Sequence, residues 1–94
     1  MIENETWFLH MCLSRAQIRL MGYLDKIRVR VNPLSERYVE IEIDGFDRGD
    51  IHWAESGHAH HNPNDATNCI DLLSAKLVEK VRRFEEDREL NLTP

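Results

Sequence analysis

The segment from Asn62 to Leu90, NPNDATNCIDLLSAKLVEKVRRFEEDREL, predicts one long amphipathic helix on which the fold depends. Asn62 is typical of a helix cap, because its side-chain oxygen accepts a hydrogen bond from a free backbone amide. Pro63 has the backbone angle of a first helical turn, and Asp65 places a carboxylate at the positive end of the helix dipole. We therefore expect the helix to begin directly after Asn62.

Apolar and basic residues recur at intervals of three or four along this helix, so each set shares one side of it. The apolar residues are Ala66, Ile70, Leu73, Leu77, Val81 and Phe84. The basic residues are Lys76, Lys80 and Arg83, with Arg82 beside them. The apolar side must be buried against the rest of the chain, whereas the basic strip can meet either phosphate or water.

The size and composition of the chain indicate one small domain. It has 94 residues, of which 41% are hydrophobic and 31% are charged, and this is enough for one modest core over about residues 6–88. No run approaches the roughly 18 apolar residues that a membrane helix needs, and residues 1–6 lack the basic start of a signal peptide. We expect a cytoplasmic protein with no membrane partner.

The formal net charge of -5 disfavours nonspecific binding to nucleic acid or to anionic membranes. Only a local basic patch could reverse this. Cys12 and Cys69 have neither a metal-type nor a redox-type spacing, so we expect two reduced, buried thiols.

The middle of the chain predicts three antiparallel strands. Apolar residues alternate with charged ones over residues 27–31 and again over 39–43, and a third strand carries Ile51 and Trp53. We expect turns at residues 32–35 and at Asp44-Gly45, and a loop over residues 56–61. One face of this sheet is aliphatic. The other presents charged and polar residues that can pair across strands: Arg28, Arg30, Glu40, Glu42 and His52.

Two periodicities compete near the start of the chain. Trp7, Leu9, Met11 and Leu13 alternate as in a strand, whereas Leu9, Leu13, Ala16, Leu20 and Leu24 mark a helical face. Ser14 and Gln17 have the spacing of a capping box, which favours a strand over residues 6–13 followed by a short helix from Ser14. Gly22 either ends this helix or allows another element to approach it closely.

This order of elements predicts an α+β two-layer sandwich. Its sheet is predominantly antiparallel, both helices cover one face, and the order is β-α-β-β-β-α with the first strand uncertain. Trp7, Phe8 and Met11 belong either to the core or to the seam of a homodimer.

Three motifs fall at the ends of the predicted elements. Tyr23-Leu24-Asp25-Lys26 ends the first helix, and Asp50-Ile51-His52-Trp53-Ala54 forms the last strand. The last helix contributes Asp65, Ile70-Asp71, Lys76-Leu77, Val81 and Arg82-Arg83. With this order of elements, these motifs resemble the ribosome hibernation-promoting factor family, which includes the ribosome-associated inhibitors. The resemblance covers residues 20–83 with interruptions.

The resemblance implies a non-catalytic, ribosome-associated factor that binds RNA and protein of the small ribosomal subunit and inhibits translation. Basic side chains would then neutralise phosphates, and binding would weaken with salt. The implied RNA-binding residues are Lys26, Arg28, Arg30, Lys76, Lys80, Arg82 and Arg83.

The net charge favours a different class, a small acidic inhibitor or immunity-type protein. Such a protein would be steered onto a basic protein, such as a nuclease or another nucleic-acid-binding enzyme. Its candidate contacts are Glu85, Glu86, Asp87 and Glu89 at the end of the helix, or Asp44, Asp47 and Asp50 near a turn.

Histidines are the remaining candidate ligands. His58, His60 and His61 are close enough to be weak candidates for a metal site, or they could sense pH. No cysteine lies nearby to complete a zinc site, so we expect no metal and no cofactor. The chain contains no nucleophile elbow, phosphate loop or metalloprotease motif, and we expect that it is not an enzyme.

Overall fold

The computed structural model describes the backbone of residues 2–92 and the side chains of residues 5–90. Its elements, in chain order, are α1 (Ile2–Leu20), β1 (Asp25–Pro33), β2 (Tyr38–Phe46), β3 (His52–His60) and α2 (Pro63–Leu92). The strands form one antiparallel sheet in the order β1-β2-β3, and residues from both helices share one core cluster with one face of the sheet. The predicted α+β two-layer sandwich is confirmed.

The prediction for α2 is confirmed from its cap to its buried face. Asn62 Oδ1 accepts a hydrogen bond from the backbone amide of Asp65 at 2.9 Å, as the capping residue of a helix does. The buried residues of the predicted stripe are Ala66, Ile70, Leu73, Leu77 and Val81. Phe84 lies at the margin of the core, where its ring meets that of Trp53 edge to face at 5.7 Å.

The predicted strand over residues 6–13 is wrong, because α1 is one helix from Ile2 to Leu20. Its buried stripe is Phe8, Cys12, Ala16 and Leu20, each four residues after the last. The alternation that favoured a strand is coincidental, since Trp7 and Leu9 are exposed. Ser14 therefore lies inside the helix and does not begin it. Gly22, with φ +87°, follows the end of α1 and has open space around it.

The predicted turn at Asp44-Gly45 is also wrong, because β2 continues through both residues to Phe46. Gly45 is in the strand for a packing reason: a Cβ there would lie 3.1 Å from both the Asp25 carbonyl oxygen and the Leu24 Cβ. The turn between β2 and β3 instead begins at Asp47, whose amide bonds the Ile51 carbonyl at 3.0 Å.

The predicted loop over residues 56–61 is wrong for a related reason. β3 extends to His60 and pairs with β2 along its whole length, with Gly57 opposite Ile41. A Cβ at Gly57 would lie 3.3 Å from both Cys69 Sγ and Leu73 Cδ2, so glycine here lets α2 pack closely on the sheet. Residues 56–61 have the composition of a loop for two reasons. One face of β3 is polar, and the other face needs a small residue where α2 packs against it.

The turn between β1 and β2 differs less from expectation. β1 contains the predicted strand and continues through Pro33, which pairs with Val39 at the end of an edge strand, where proline is tolerated. The turn therefore falls over residues 34–37, and the Leu34 amide closes it on the Tyr38 carbonyl at 2.9 Å.

No helix in the described chain is both long enough and apolar enough to cross a bilayer.

One buried polar group provides a test of the packing between elements. Ser74 is 2% exposed, and its Oγ has no hydrogen-bond partner among the described residues. Ser74→Ala removes this unsatisfied group, so we expect the free energy of unfolding to rise by about 1 kcal/mol more than for Ser14→Ala. Ser14 is exposed within α1 and controls for the higher helix propensity of alanine. Urea unfolding of both variants measures the difference, and an equal effect would contradict the assignment.

Candidate interaction surfaces

The face of the sheet turned away from the helices, here called the open face, carries a row of charges in register. Arg28 lies opposite Asp44, Arg30 opposite Glu42, and Asn32 opposite Glu40, while His58 lies opposite Glu40 on the other side. This confirms the predicted pairing of basic and acidic residues across neighbouring strands. Basic groups therefore line β1, carboxylates line β2, and histidines line β3.

Asp44 is the most enclosed member of the open face, at 3% exposure. Its carboxylate accepts a hydrogen bond from Arg28 Nη2 at 2.8 Å, and His52 Nε2 lies 2.9 Å from the same oxygen. Burial raises the pKa of Asp44, but the hydrogen bonds from Arg28 and His52 outweigh it and leave the pKa below its usual range. Asp44 is thus engaged within the chain and not displayed to a partner.

The other predicted RNA-binding cations are divided between two layers. Lys26 lies 5.9 Å from the centroid of the Phe46 ring, and Arg30 pairs with Glu42 at 3.4 Å on the open face. On α2, Lys80 pairs with Glu55 of β3, and Arg83 pairs with Glu79 at 2.9 Å. Among the residues with described side chains, Lys76 and Arg82 have no ion-pair partner.

Asp47 organises the turn between β2 and β3. Its Oδ1 accepts hydrogen bonds from the amides of Gly49 at 2.8 Å and Ile51 at 3.0 Å, and its Oδ2 accepts one from Trp53 Nε1 at 2.9 Å. Burial raises the pKa of Asp47, but these hydrogen bonds and the charge of Arg88 lower it by more. The pKa of Asp47 therefore lies below its usual range. Asp47 therefore has a structural role, and Asp50 is the exposed carboxylate of this turn.

The same turn meets the C-terminal half of α2. The contact between Trp53 and Phe84 and the electrostatic effect of Arg88 on Asp47 both link these two regions. The structure thus places this turn near the end of α2, and Asp50 is the one exposed carboxylate among Asp44, Asp47 and Asp50. We call the exposed carboxylates Asp50, Glu85, Glu86 and Asp87 the acidic end. None of the four has an ion-pair partner within the described part of the chain, and Glu89 is exposed on the same stretch of α2.

The three clustered histidines contact three different partners. His58 lies 3.8 Å from Glu40, His60 pairs with Asp65 at the start of α2, and the His61 ring meets Phe8 edge to face at 4.7 Å. No group of three potential metal ligands occurs in the described residues. His58 therefore makes a contact within the sheet, whereas His60 and His61 contact α2 and α1.

Sequence reasoning missed the charged contact that joins the two helices. Asp71 accepts hydrogen bonds from Arg15 Nε at 2.8 Å and from Arg19 Nε at 3.0 Å, across the boundary between α1 and α2. The hydrogen bond from Arg15 is the main reason that the pKa of Asp71 lies below its usual range. An available signal was the spacing of Arg15 and Arg19, which places both on one side of a helix.

This contact predicts a stability that depends on pH. Because the folded pKa of Asp71 is lowered, its contribution is present above the unfolded pKa of about 4 and is lost as the pH falls through the folded pKa. Asp71→Asn should therefore lower the free energy of unfolding at pH 7 by about 1 kcal/mol and flatten its decline between pH 4 and 2.5. Urea titrations across this range measure both effects. Glu86→Gln, which alters an exposed carboxylate, should change stability at pH 7 by less than about 0.5 kcal/mol.

Both cysteines lie in the core, and the expectation of buried positions is confirmed. Cys12 is fully buried and Cys69 is 9% exposed. Burial, with a smaller effect of Cys69, raises the pKa of the Cys12 thiol to about 11, so little thiolate forms at neutral pH.

In the Cys69→Ala variant we expect Cys12 to react with Ellman's reagent at pH 8 at least about a hundredfold more slowly than in urea-unfolded protein. The reaction must wait for an opening of the core. Labelling of Cys12 as fast as in the unfolded chain would show that the contact between α1 and α2 is not closed.

No protein-family model, curated protein or solved structure matches the chain.

Proposed function

We propose that the chain is a non-catalytic protein that binds a basic protein partner through its acidic end. The supporting observation is the group of exposed carboxylates at the acidic end that have no ion-pair partner within the described chain. Arg28, Arg30, Lys80 and Arg83 are held by carboxylates of the chain itself, whereas the four carboxylates of the acidic end have no such partner among the described residues. Unpaired carboxylates attract a cationic surface without first losing an internal contact.

The position of the acidic end supports the same proposal. Val81 is the last fully buried residue of α2, and residues 82–90 are all exposed. The helix therefore continues past the core with few apolar contacts to hold it, and a charged, solvated helix end provides an accessible surface for a partner. The net charge of -5 adds a long-range attraction to a basic protein.

A ribosome-associated factor is the second candidate. Lys76 and Arg82 on α2 have no ion-pair partner among residues with described side chains, and both belong to the motifs that resemble the hibernation-promoting factor family. In that case the partner would be RNA of the small ribosomal subunit, and these two cations would contact its phosphates. A cytoplasmic location suits both candidates.

Two charge-neutralising variants of equal design separate the candidates. One replaces Glu85, Glu86 and Asp87 by Gln, Gln and Asn, and the other is Lys76→Gln with Arg82→Gln. Each tagged chain is exposed to lysate of the organism that encodes it, and the bound proteins and RNA are quantified at low and high salt.

Under the first candidate, one basic protein binds to the wild-type chain and to the Lys76/Arg82 variant, while the acidic-end variant binds it about tenfold more weakly. Under the second candidate, small-subunit RNA is recovered at low salt only, and it disappears in the Lys76/Arg82 variant. Recovery of the same proteins and RNA by all three chains would overturn both candidates.

A further inference from the structure

The two edges of the sheet are closed to different degrees. At the β3 edge, α2 is tied to the strand by Lys80 with Glu55 and by His60 with Asp65. At the β1 edge, no ion pair joins α1 to the strand among the described residues. β1 pairs with β2 on one side only, and no other described strand lies beside it.

The dimensions of the two layers leave space under the helix beside an edge strand. Packed helices lie about 8–10 Å apart, and β1 and β3 are separated by two strand spacings of about 4.8 Å. Each helix axis therefore lies roughly above an edge strand. Because a helix is about 10 Å wide, it extends beyond that strand by about the width of one more strand.

Under α1 a cleft of about 500 Å³ lies beside β1, and its lining includes the charged residues Glu5 and Arg30 as well as apolar ones. The apolar residues that line it are Phe8, Leu9, Val29, Val31, Pro33 and Val39. Leu9 is 41% exposed, and Val29 and Val31 are only partly covered, whereas Ile41 and Ile43 of the central strand are fully buried. A second, separate cleft lies at the other end of β1 and is lined by Leu24 and Ile27 among others.

Apart from the charges of Arg28 and Arg30, the features of β1 that keep edges from pairing lie at its two ends. Lys26 with its positive φ and Pro33 interrupt regular pairing at the two ends of β1. Between them residues 28–32 pair with β2 in regular register, and alternate residues of this stretch direct their amide and carbonyl groups away from β2. This length suits a short added strand.

The charges beside β1 indicate which kind of segment would bind at its edge. A strand added beside β1 would place every second side chain in the cleft and the others on the open face, beside Arg28 and Arg30. These two side chains remain 63% and 61% exposed, although each already pairs with a carboxylate of β2. The chemistry that fits is that of β2 itself, in which Val39, Ile41 and Ile43 alternate with acidic residues.

A second copy of β1 fits less well. Antiparallel pairing of β1 with itself around Val29 would set Arg28 opposite Arg30, and centring on either arginine would set that residue opposite itself. Like charges directly opposite each other destabilise a sheet. The only carboxylate of β1 is Asp25, at its start.

We propose that the free edge of β1 and its cleft bind an extended segment of a partner protein in which apolar and acidic residues alternate. The segment adds a fourth strand, its apolar side chains fill the cleft beside Leu9, Val29 and Val31, and its carboxylates pair with Arg28 and Arg30. This surface shares no residue with the acidic end, so either proposal can fail without the other.

The first test uses the full chain, labelled with ¹⁵N, and the synthetic peptide acetyl-Gly-Val-Glu-Ile-Glu-Val-Glu-Gly-amide. We expect amide exchange to slow at alternate residues of 28–32 when this peptide is bound. The matched peptide with lysine at each glutamate position should bind about tenfold more weakly. Equal affinity of the two peptides, or protection outside β1 only, would overturn the proposal.

Two variants test the two halves of the surface. Arg30→Glu should weaken binding of the acidic peptide about tenfold, whereas Arg48→Glu, the same charge change in the exposed β2–β3 turn, should stay within about twofold of wild type. Leu9→Glu places a charge in the cleft and should abolish binding, whereas Leu72→Glu, at an exposed position on α2, should not. All four positions are exposed, and circular dichroism verifies that each variant is folded.

Sedimentation of the chain alone tests whether a second copy of the chain occupies the β1 edge. We expect a monomer whose state does not change with Arg30→Glu. A dimer that is lost when the β1 edge is altered would show that a second copy covers this edge, and that the alternating segment does not.

Discussion

Close packing of α2 on the sheet is the constraint on which the rest of the molecule depends. The buried stripe of α2 covers Ile41 and Ile43 of the central strand, and it approaches closely only because Gly57 has no side chain in its path. Once α2 occupies the β3 side of the sheet, α1 has the β1 side left to cover. This arrangement sets the two helices side by side. It also brings Asp71 to Arg15 and Arg19, and it places both cysteines in the core.

The same constraint determines which elements sequence patterns could predict. α2 was predictable because three independent signals agree: a cap at Asn62, an apolar stripe of helical period, and length. α1 was not predictable, because two of the four residues in its buried stripe are small. Cys12 and Ala16 contribute to the core through close helix packing, which periodicity of large apolar residues does not detect, and the exposed Trp7 and Leu9 create a false strand pattern.

Glycine explains the two errors within the sheet. Gly45 and Gly57 suggest a turn and a loop when only their neighbours in sequence are considered, since glycine is common in both. Each instead lies in a strand at a point where another part of the chain comes within van der Waals distance. Their meaning depends on contacts with Leu24 and Leu73, which are distant in sequence, so no local pattern could reveal it.

Charged residues show the same dependence on tertiary structure. The spacing of Lys76, Lys80 and Arg83 correctly places them on one side of a helix, but it does not show that Lys80 meets Glu55 of β3. How far a charge is already engaged is decided by contacts of the folded chain that spacing along the sequence does not show. At the β3 edge that pairing joins the helix to the strand. At the β1 edge the arginines lie on the open face and pair within the sheet, and no ion pair among the residues with described side chains joins α1 to the strand. The sheet is therefore closed on one side and open on the other, although both edge strands have the same length and the same kind of helix above them.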